Sequence, residues 1–181
     1  MYSLVNLMEE IIAEKINELA PRLGLCDCKI CREDAMAFCL NGISPRYVVA
    51  VDGKVPPINN VYSVESLTSV VTRVINKIKA NPRHSEPQSD DLTHKNVMIE
   101  MIFERIPNLA EAGLCDCEFC QTSIVALSLN RLPSMYAVTQ TGEVFHRSNT
   151  VYKQFNIDIK LAINSAVTLI SSNEHNTNAV R

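Results

Sequence analysis

The chain contains one cysteine-rich phrase twice, "GLCDCKIC" at 24–31 and "GLCDCEFC" at 113–120, and the two copies start 89 residues apart. The similarity extends upstream, where "NLMEEIIAEKI" (6–16) and "NVMIEMIFERI" (96–106) are identical at six of eleven positions. Similarity over nearly the whole length of both copies indicates a duplicated folding unit. Because a duplicated unit in one chain commonly reproduces a two-fold homodimer, we expect the copies to pack against each other.

The repeat divides the chain into unit 1 (residues 1–82), a linker (83–94) and unit 2 (95–175). The linker is rich in Pro, Ser and Asp, and about a dozen such residues can span several tens of ångströms. Apolar residues form 46% of the chain and charged residues 20%, which is typical of globular proteins. We predict a mainly α fold of two tandem small helical zinc-binding units, each with a short β-hairpin, packed as a pseudo-two-fold dimer.

Hydrophobic periodicity predicts three helices and one hairpin in each unit. The first helix of unit 1 should end at Pro21 and Gly24. In unit 2, Pro107 should shorten or kink the matching helix, because proline cannot donate a helical hydrogen bond. The remaining predicted elements are second helices at 32–41 and 121–130, hairpins turning at Asp52-Gly53 and Thr141-Gly142, and closing helices with apolar faces over 64–78 and 155–170.

The composition disfavours several classes of function. The formal net charge is −3 and neither half is basic, so DNA is an unlikely partner. The N-terminal segment has no basic region followed by an apolar stretch, and no apolar run is long enough to cross a membrane, so we expect a cytoplasmic protein. We find no nucleotide-binding glycine loop, zinc-protease motif or nucleophile-histidine motif, and we expect a protein that is not an enzyme and has no catalytic residues.

Six of the seven cysteines lie in the two repeated clusters, where their close spacing suits a metal better than disulfides. Three thiolates within six residues can bind one tetrahedral Zn²⁺, so we predict two zinc ions per chain. Cys39 is a poor fourth ligand because its counterpart is Ser128. Histidines follow the last helix of each unit, which suggests Cys₃His sites, although a trio of inert buried thiols and solvated histidines are the alternatives. The predicted metal ligands are Cys26, Cys28, Cys31, His84, Cys115, Cys117, Cys120 and His175.

The stretch "CDCKICREDAMAFCLNGISPRYVV", preceded by "NLMEEIIAE" and followed later by "NPRH", resembles the late competence development ComFB family. The resemblance covers nearly all of both units. It implies that the chain is similar to two protomers of a small, mostly helical, zinc-containing homodimer joined into one polypeptide. It also implies a receptor for cyclic dinucleotides, principally cyclic di-GMP. The alternative is a zinc-stapled protein–protein adaptor in competence, DNA uptake or motility, with a downstream protein partner and no nucleotide.

The same resemblance suggests which side chains contact the ligand. An arginine beside a tyrosine could match the acceptors of a guanine edge and stack on its face, as in "PRY" at 45–47. Unit 2 has Met135 in place of that arginine. In the sequence alignment, Gln154 and Asp158 of its last helix correspond to Val64 and Thr68 of unit 1. The pocket could therefore be asymmetric, confined to one unit, or absent, and a tyrosine or asparagine here could instead be structural. The predicted ligand-binding residues are Asn41, Arg46, Tyr47, Asn130, Arg131, Tyr136, Gln154 and Asp158.

Overall fold

The computed structural model describes residues 1–56, 64–83, 93–111 and 114–171, and it forms two helical units that each carry a two-stranded sheet. The fold class predicted from the sequence is confirmed. Unit 1 contains β1 (Tyr2–Asn6), α1 (Leu7–Leu23), α2 (Lys29–Asn41), β2 (Tyr47–Val51) and α3 (Val64–Ala80). Unit 2 contains β3 (Lys95–Asn96), α4 (Met98–Phe103), α5 (Glu118–Leu129), β4 (Tyr136–Ala137), α6 (Gln140–His146) and α7 (Asn149–Ser171).

An asparagine side chain accepts a hydrogen bond from the start of the first helix in each unit, and the two helices differ in length. The Asn6 side chain accepts a hydrogen bond from the Met8 N–H (3.2 Å), which satisfies one of the free amides at the start of α1. Helix α1 continues through Pro21 to a left-handed Gly24 (φ 67°). In unit 2, α4 has only six residues and stops at Phe103, as expected from Pro107.

The two sheets pair strands that the sequence did not connect. Strand β2 is antiparallel to β1, with Asn6 opposite Tyr47, and β4 is antiparallel to β3 in the same arrangement. The turn predicted at Asp52-Gly53 is present, since both residues have positive φ (49° and 74°). The turn predicted at Thr141-Gly142 is wrong: both residues lie in α6, where the Thr139 side chain accepts a hydrogen bond from the Gly142 N–H (3.1 Å) and thereby starts a helix.

The units are joined by strands that reach across into the neighbouring core. Tyr136 of β4 is buried in the apolar cluster built by α1, α2 and α3, and Tyr47 of β2 is buried in the cluster built by α4, α5 and α7. Each tyrosine is 3% exposed. The two cores are therefore completed by each other, which is the reciprocal packing expected of a pseudo-two-fold dimer. None of the helices in the described ranges combines the length and the hydropathy that a membrane crossing requires.

Candidate metal sites and inter-unit cleft

Each unit presents three cysteines at the start of its second helix. Cys28 is the N-terminal cap of α2 and Cys117 is that of α5, and both have extended backbones (φ −70° and −74°). This backbone turns the chain so that the cysteines before and after the cap face the same point. Within each trio, Cys26, Cys28, Cys31 and Cys115, Cys117, Cys120, all sulfur atoms lie within 4.8 Å of one another. Such a trio provides three of the four corners of a tetrahedral metal site.

Burial and mutual repulsion oppose ionisation of the innermost thiols. Burial, followed by the neighbouring thiols, raises the pKa of Cys31 and of Cys120 to about 12. Burial also acts to raise the pKa of Cys117, but hydrogen bonds from Cys120 and Cys115 and from the Phe119 backbone outweigh it and lower the pKa. Cysteines bind metal as thiolates, so a bound divalent cation would supply the charge that these trios need to lose their protons.

The end of α3 approaches the first cysteine trio. A cavity of about 190 Å³ is bounded by Cys26 and Cys31 on one side and by Ile78 and Pro82 on the other. Arg83 then binds α2, where its Nε donates to a carboxylate oxygen of Asp34 (2.9 Å). This contact holds the chain beside the trio at the residue just before the predicted fourth ligand. Both predicted histidine ligands, His84 and His175, lie outside the described residues, so their metal role stays a prediction.

Cys39 does not belong to either trio. It is fully buried in the unit 1 core, and burial raises the pKa of its thiol to about 12. Its counterpart Ser128 is equally buried, and the Ser128 hydroxyl has no hydrogen-bond partner among the described residues. These positions therefore fill the core and are separate from the cysteine trios.

The side chains of the asparagines at the ends of the second helices form hydrogen bonds with the backbone of the opposite unit, and we call these four bonds the clasp. The Asn41 side chain accepts from the Tyr136 N–H (2.6 Å) and donates to the Tyr136 carbonyl (2.9 Å). Asn130 makes the equivalent pair of bonds with the backbone of Tyr47 (2.6 and 2.8 Å). These four residues thus have a structural role between the units. Their role in ligand binding stays a prediction.

The two tyrosine hydroxyls meet between the units, 3.0 Å apart. The Asn6 amide donates to Tyr136 (2.9 Å) and the Asn96 amide donates to Tyr47 (2.8 Å). Tyr136 in turn donates to a carboxylate oxygen of Glu9 (2.5 Å). Because the Tyr136 proton is used for Glu9, the Tyr47 hydroxyl must be the donor between the two tyrosines. Burial raises the pKa of both tyrosines, so both stay protonated at neutral pH.

The sequence did not predict the hydrogen bonds that Asn6, Asn96 and Glu9 form with the two tyrosines. The two asparagines are among the identities between the copies, and an asparagine before an apolar run is a helix-cap signal. Glu9 gave no such signal, because its counterpart is Ile99 and the hydrogen-bond partner is 127 residues away. A second missed contact is the pair His94 and Glu33, in which the histidine Nδ1 lies 2.6 Å from the carboxylate.

Two adjoining cavities, together called the inter-unit cleft, lie beside the loop that follows α5: the larger is where the units meet, and the smaller is lined by unit 2 alone. The larger, about 380 Å³, is formed by the equivalent loops 41–45 of unit 1 and 130–134 of unit 2. The smaller, about 260 Å³, lies between Arg131 and Asp158 and shares residues 131–133 with the first. The structure thus brings Asn41, Asn130, Arg131 and Asp158 to one region.

Of the other four predicted ligand residues, three do not line this region: Tyr47 and Tyr136 are buried between the units, and Arg46 lies at the edge of the larger cavity. Arg46 follows the first cleft loop and is half-buried, and its N–H donates to Asn6 (3.0 Å). The Gln154 side chain lies outside the described part of the structure.

The last helices of the two units, α3 and α7, align at a spacing of 92 residues, because buried positions such as Leu67 and Ile159 then coincide. At that spacing Asp158 corresponds to Ser66, which corrects its alignment with Thr68.

The family model described as late competence development protein ComFB matches residues 5–83 and, a second time, residues 95–174. Each matched range includes one cysteine trio and one of the two buried tyrosines. No curated protein and no solved structure matches the chain significantly. The resemblance found in the sequence is therefore confirmed as two tandem copies.

Proposed function

Given that the chain belongs to the ComFB family in two tandem copies, we propose that it is a non-catalytic receptor for a cyclic dinucleotide, with cyclic di-GMP as the preferred ligand. In this proposal the inter-unit cleft binds the ligand. One structural zinc ion in each cysteine trio fixes the second helix that carries a cleft loop.

The observation that carries the proposal is the cleft between loops 41–45 and 130–134. Its two walls are equivalent segments of the two copies, related by the pseudo-two-fold arrangement of the units. Cyclic di-GMP has two chemically identical halves, so two equivalent loops can enclose it from both sides, while the charged side chains come from the unit 2 wall. The volume of about 380 Å³ lies within the range of about 300–1,000 Å³ that is usual for small-molecule sites.

The charged groups beside the cleft suit a guanine nucleotide. The Arg131 guanidinium is exposed and can form the bidentate contact that guanine O6 and N7 or a phosphate accepts. Asp158, in the adjoining cavity, can accept hydrogen bonds from the N–H groups of the same base. The counterpart of Arg131 in unit 1 is Gly42, so the binding polar groups come mainly from unit 2. This supports the asymmetric form of the pocket.

Zinc is the metal that best matches the cysteine trios. Thiolate ligands and tetrahedral geometry favour Zn²⁺, and a closed structural site stabilises the fold. When bound, the ion supplies positive charge that keeps the three thiols ionised. The trios begin α2 and α5, and Asn41 and Asn130 end these helices, so a fixed helix start also fixes the clasp at the other unit.

Calorimetric titration of the full-length, zinc-loaded protein with cyclic di-GMP, cyclic di-AMP and GTP tests the ligand. We expect cyclic di-GMP to bind at least as tightly as about 100 µM, a free energy of about −5.5 kcal/mol. Arg131→Ala should weaken binding about 10- to 100-fold, since hydrogen bonds to charged groups contribute about 1.5–3 kcal/mol. Arg22→Ala, at a 70% exposed arginine of α1, is the matched control and should change nothing. Absence of binding, or equal losses in both variants, contradicts the proposal.

The protein-adaptor alternative is favoured by one feature of unit 2. Val144 and Phe145 of α6 are each 64% exposed, and Ile157 and Leu161 of α7 are 68% and 62% exposed. At the spacing of 92 residues, the last two correspond to polar residues of α3 in unit 1. Affinity capture with wild-type protein and with Leu161→Asp would support an adaptor only if a specific partner were retained by the first and lost by the second.

A further inference from the structure

The early end of α4 uncovers one side of α7. In unit 1, α1 runs for 17 residues and its buried face, which includes Ile12 and Ile16, packs in one cluster with α3. In unit 2, the equivalent helix has six residues because the chain leaves the helical path before Pro107. The side of α7 that corresponds to the α1 contact therefore lies beside a non-helical segment, and a cavity opens there.

This cavity has a volume of about 360 Å³ and a consistent chemical character. It contains two cationic side chains, two amide side chains and two apolar side chains, and no carboxylate is part of its described wall. Three α7 residues at helical spacing, 156, 160 and 164, form one side, and the segment after α4 forms the other. The lining residues are Arg105, Pro107, Asn156, Lys160, Ile163 and Asn164.

The cavity is separate from the inter-unit cleft. The smaller cavity of the cleft uses Asp158, Leu161 and Ala162 of α7, whereas this one uses residues at positions offset by half a helical turn. The two sites therefore face opposite sides of the same helix. A ligand in one does not compete directly for the other.

Unit 1 provides an internal comparison for these residues. At the spacing of 92 residues, Lys160 and Asn164 correspond to Thr68 and Thr72 of α3. The counterpart of Arg105 is Lys15, which forms an ion pair with Glu18 (2.6 Å) along α1. The second copy thus has an open cavity and one additional cation, Lys160, at the place where the first copy has a packed helix.

We propose that this cavity is a binding site for a small organic anion, a carboxylate or phosphate monoester attached to an apolar or planar body. Arg105 is held in position, since its side chain is 14% exposed and donates to the Met101 carbonyl. Its guanidinium and the Lys160 ammonium provide the positive charge for the anionic group. Pro107 and Ile163 provide the apolar surface for the body of the ligand. The carboxylate of Glu104, 3.8 Å from Arg105, is one intramolecular group with which the ligand competes.

The test uses the full-length, zinc-loaded protein and amide NMR titrations with phenyl phosphate, benzoate, inorganic phosphate and benzyl alcohol. We expect phenyl phosphate and benzoate to shift the signals of Asn156, Lys160 and Asn164 with dissociation constants of about millimolar, as befits ligands of this size. Benzyl alcohol, which lacks the charge, and inorganic phosphate, which lacks the apolar body, should bind at least about tenfold more weakly. Cyclic di-GMP should not displace either probe.

Two variants and one control complete the test. Lys160→Met should weaken phenyl phosphate about tenfold, and Asn164→Phe should fill the cavity and abolish the shifts. Lys54→Met removes one exposed lysine from the unit 1 turn and should leave binding unchanged. The proposal is overturned if the shifts occur elsewhere, if benzyl alcohol or inorganic phosphate binds as tightly as phenyl phosphate, or if the two lysine variants weaken binding equally.

Discussion

The hydrogen-bond chain between the units needs one carboxylate, and Glu9 supplies it. Tyr47 donates to Tyr136, and Tyr136 donates to Glu9, so each buried hydroxyl proton has an acceptor. With isoleucine in both copies, one of these protons would have no acceptor. With glutamate in both, each tyrosine would donate to its own carboxylate, and the two phenol oxygens would face each other without a proton between them. We therefore predict that stability depends on the number of carboxylates and not on which copy carries them.

The perturbation is Glu9→Ile, which gives unit 1 the residue of unit 2 at Ile99. The change removes a hydrogen bond to a carboxylate and leaves one buried hydroxyl proton without an acceptor, so the free energy of unfolding should fall by about 1.5–3 kcal/mol. For a chain of 181 residues this lowers Tm by about 3–12 °C. Adding Ile99→Glu to that variant moves the carboxylate to the other copy and should recover most of the loss. The same Ile99→Glu change in the wild-type background should destabilise the protein.

Urea unfolding of the four zinc-loaded proteins, read by circular dichroism, measures this cycle. Glu10→Ile, at the exposed neighbour of Glu9 on α1, is the matched control and should stay within about 0.5 kcal/mol of wild type. Equal effects of Glu9→Ile and Glu10→Ile would refute the reasoning. So would a double variant that is no more stable than Glu9→Ile, because a local role for Glu9 cannot be rescued from the other unit.

Three further predictions concern the metal sites, the tyrosines and the clasp. Cys31→Ala should reduce zinc measured by elemental analysis from two ions to one per chain, whereas Cys39→Ala, at an equally buried thiol outside the trios, should keep both. Burial raises the pKa of Tyr47 and of Tyr136, so these tyrosines stabilise the fold below pH 10 and this contribution declines as pH rises further; absorbance at 295 nm should show that part of the tyrosine ionisation occurs at higher pH in the folded protein than in the urea-unfolded protein, and identical titration curves would contradict the burial of both hydroxyls. Asn130→Ala removes two hydrogen bonds to the Tyr47 backbone and should lower the urea-unfolding free energy by about 1–3 kcal/mol, and an unchanged value would exclude the clasp.

Features carried by local chemistry could be predicted from the sequence. The cysteine spacing predicted the two trios, because three thiols within six residues meet whenever a helix starts at the middle one. Pro107 predicted the short α4, since the loss of one N–H and the clash with the preceding residue act within a single turn. The repeat predicted the fold class because two similar apolar patterns need similar cores.

The roles of the shared polar residues could not be predicted in the same way. An asparagine side chain can serve a base edge or a peptide backbone equally well, and only the proximity of β4 shows that Asn41 binds the latter. The Thr141-Gly142 pair suits both a turn and a helix, and the Thr139 cap decided in favour of the helix.

The sequence by itself determined the duplicated helical units, the cysteine trios and the interruption at Pro107, because each depends on residues close together in the chain. Only the tertiary structure decided that each tyrosine completes the opposite core, that Glu9 ends a hydrogen-bond chain from the other unit, and that the break in α4 opens a cationic cavity on α7. These features depend on groups that are far apart in the chain and come into contact only in the folded protein. No local sequence pattern therefore predicts them.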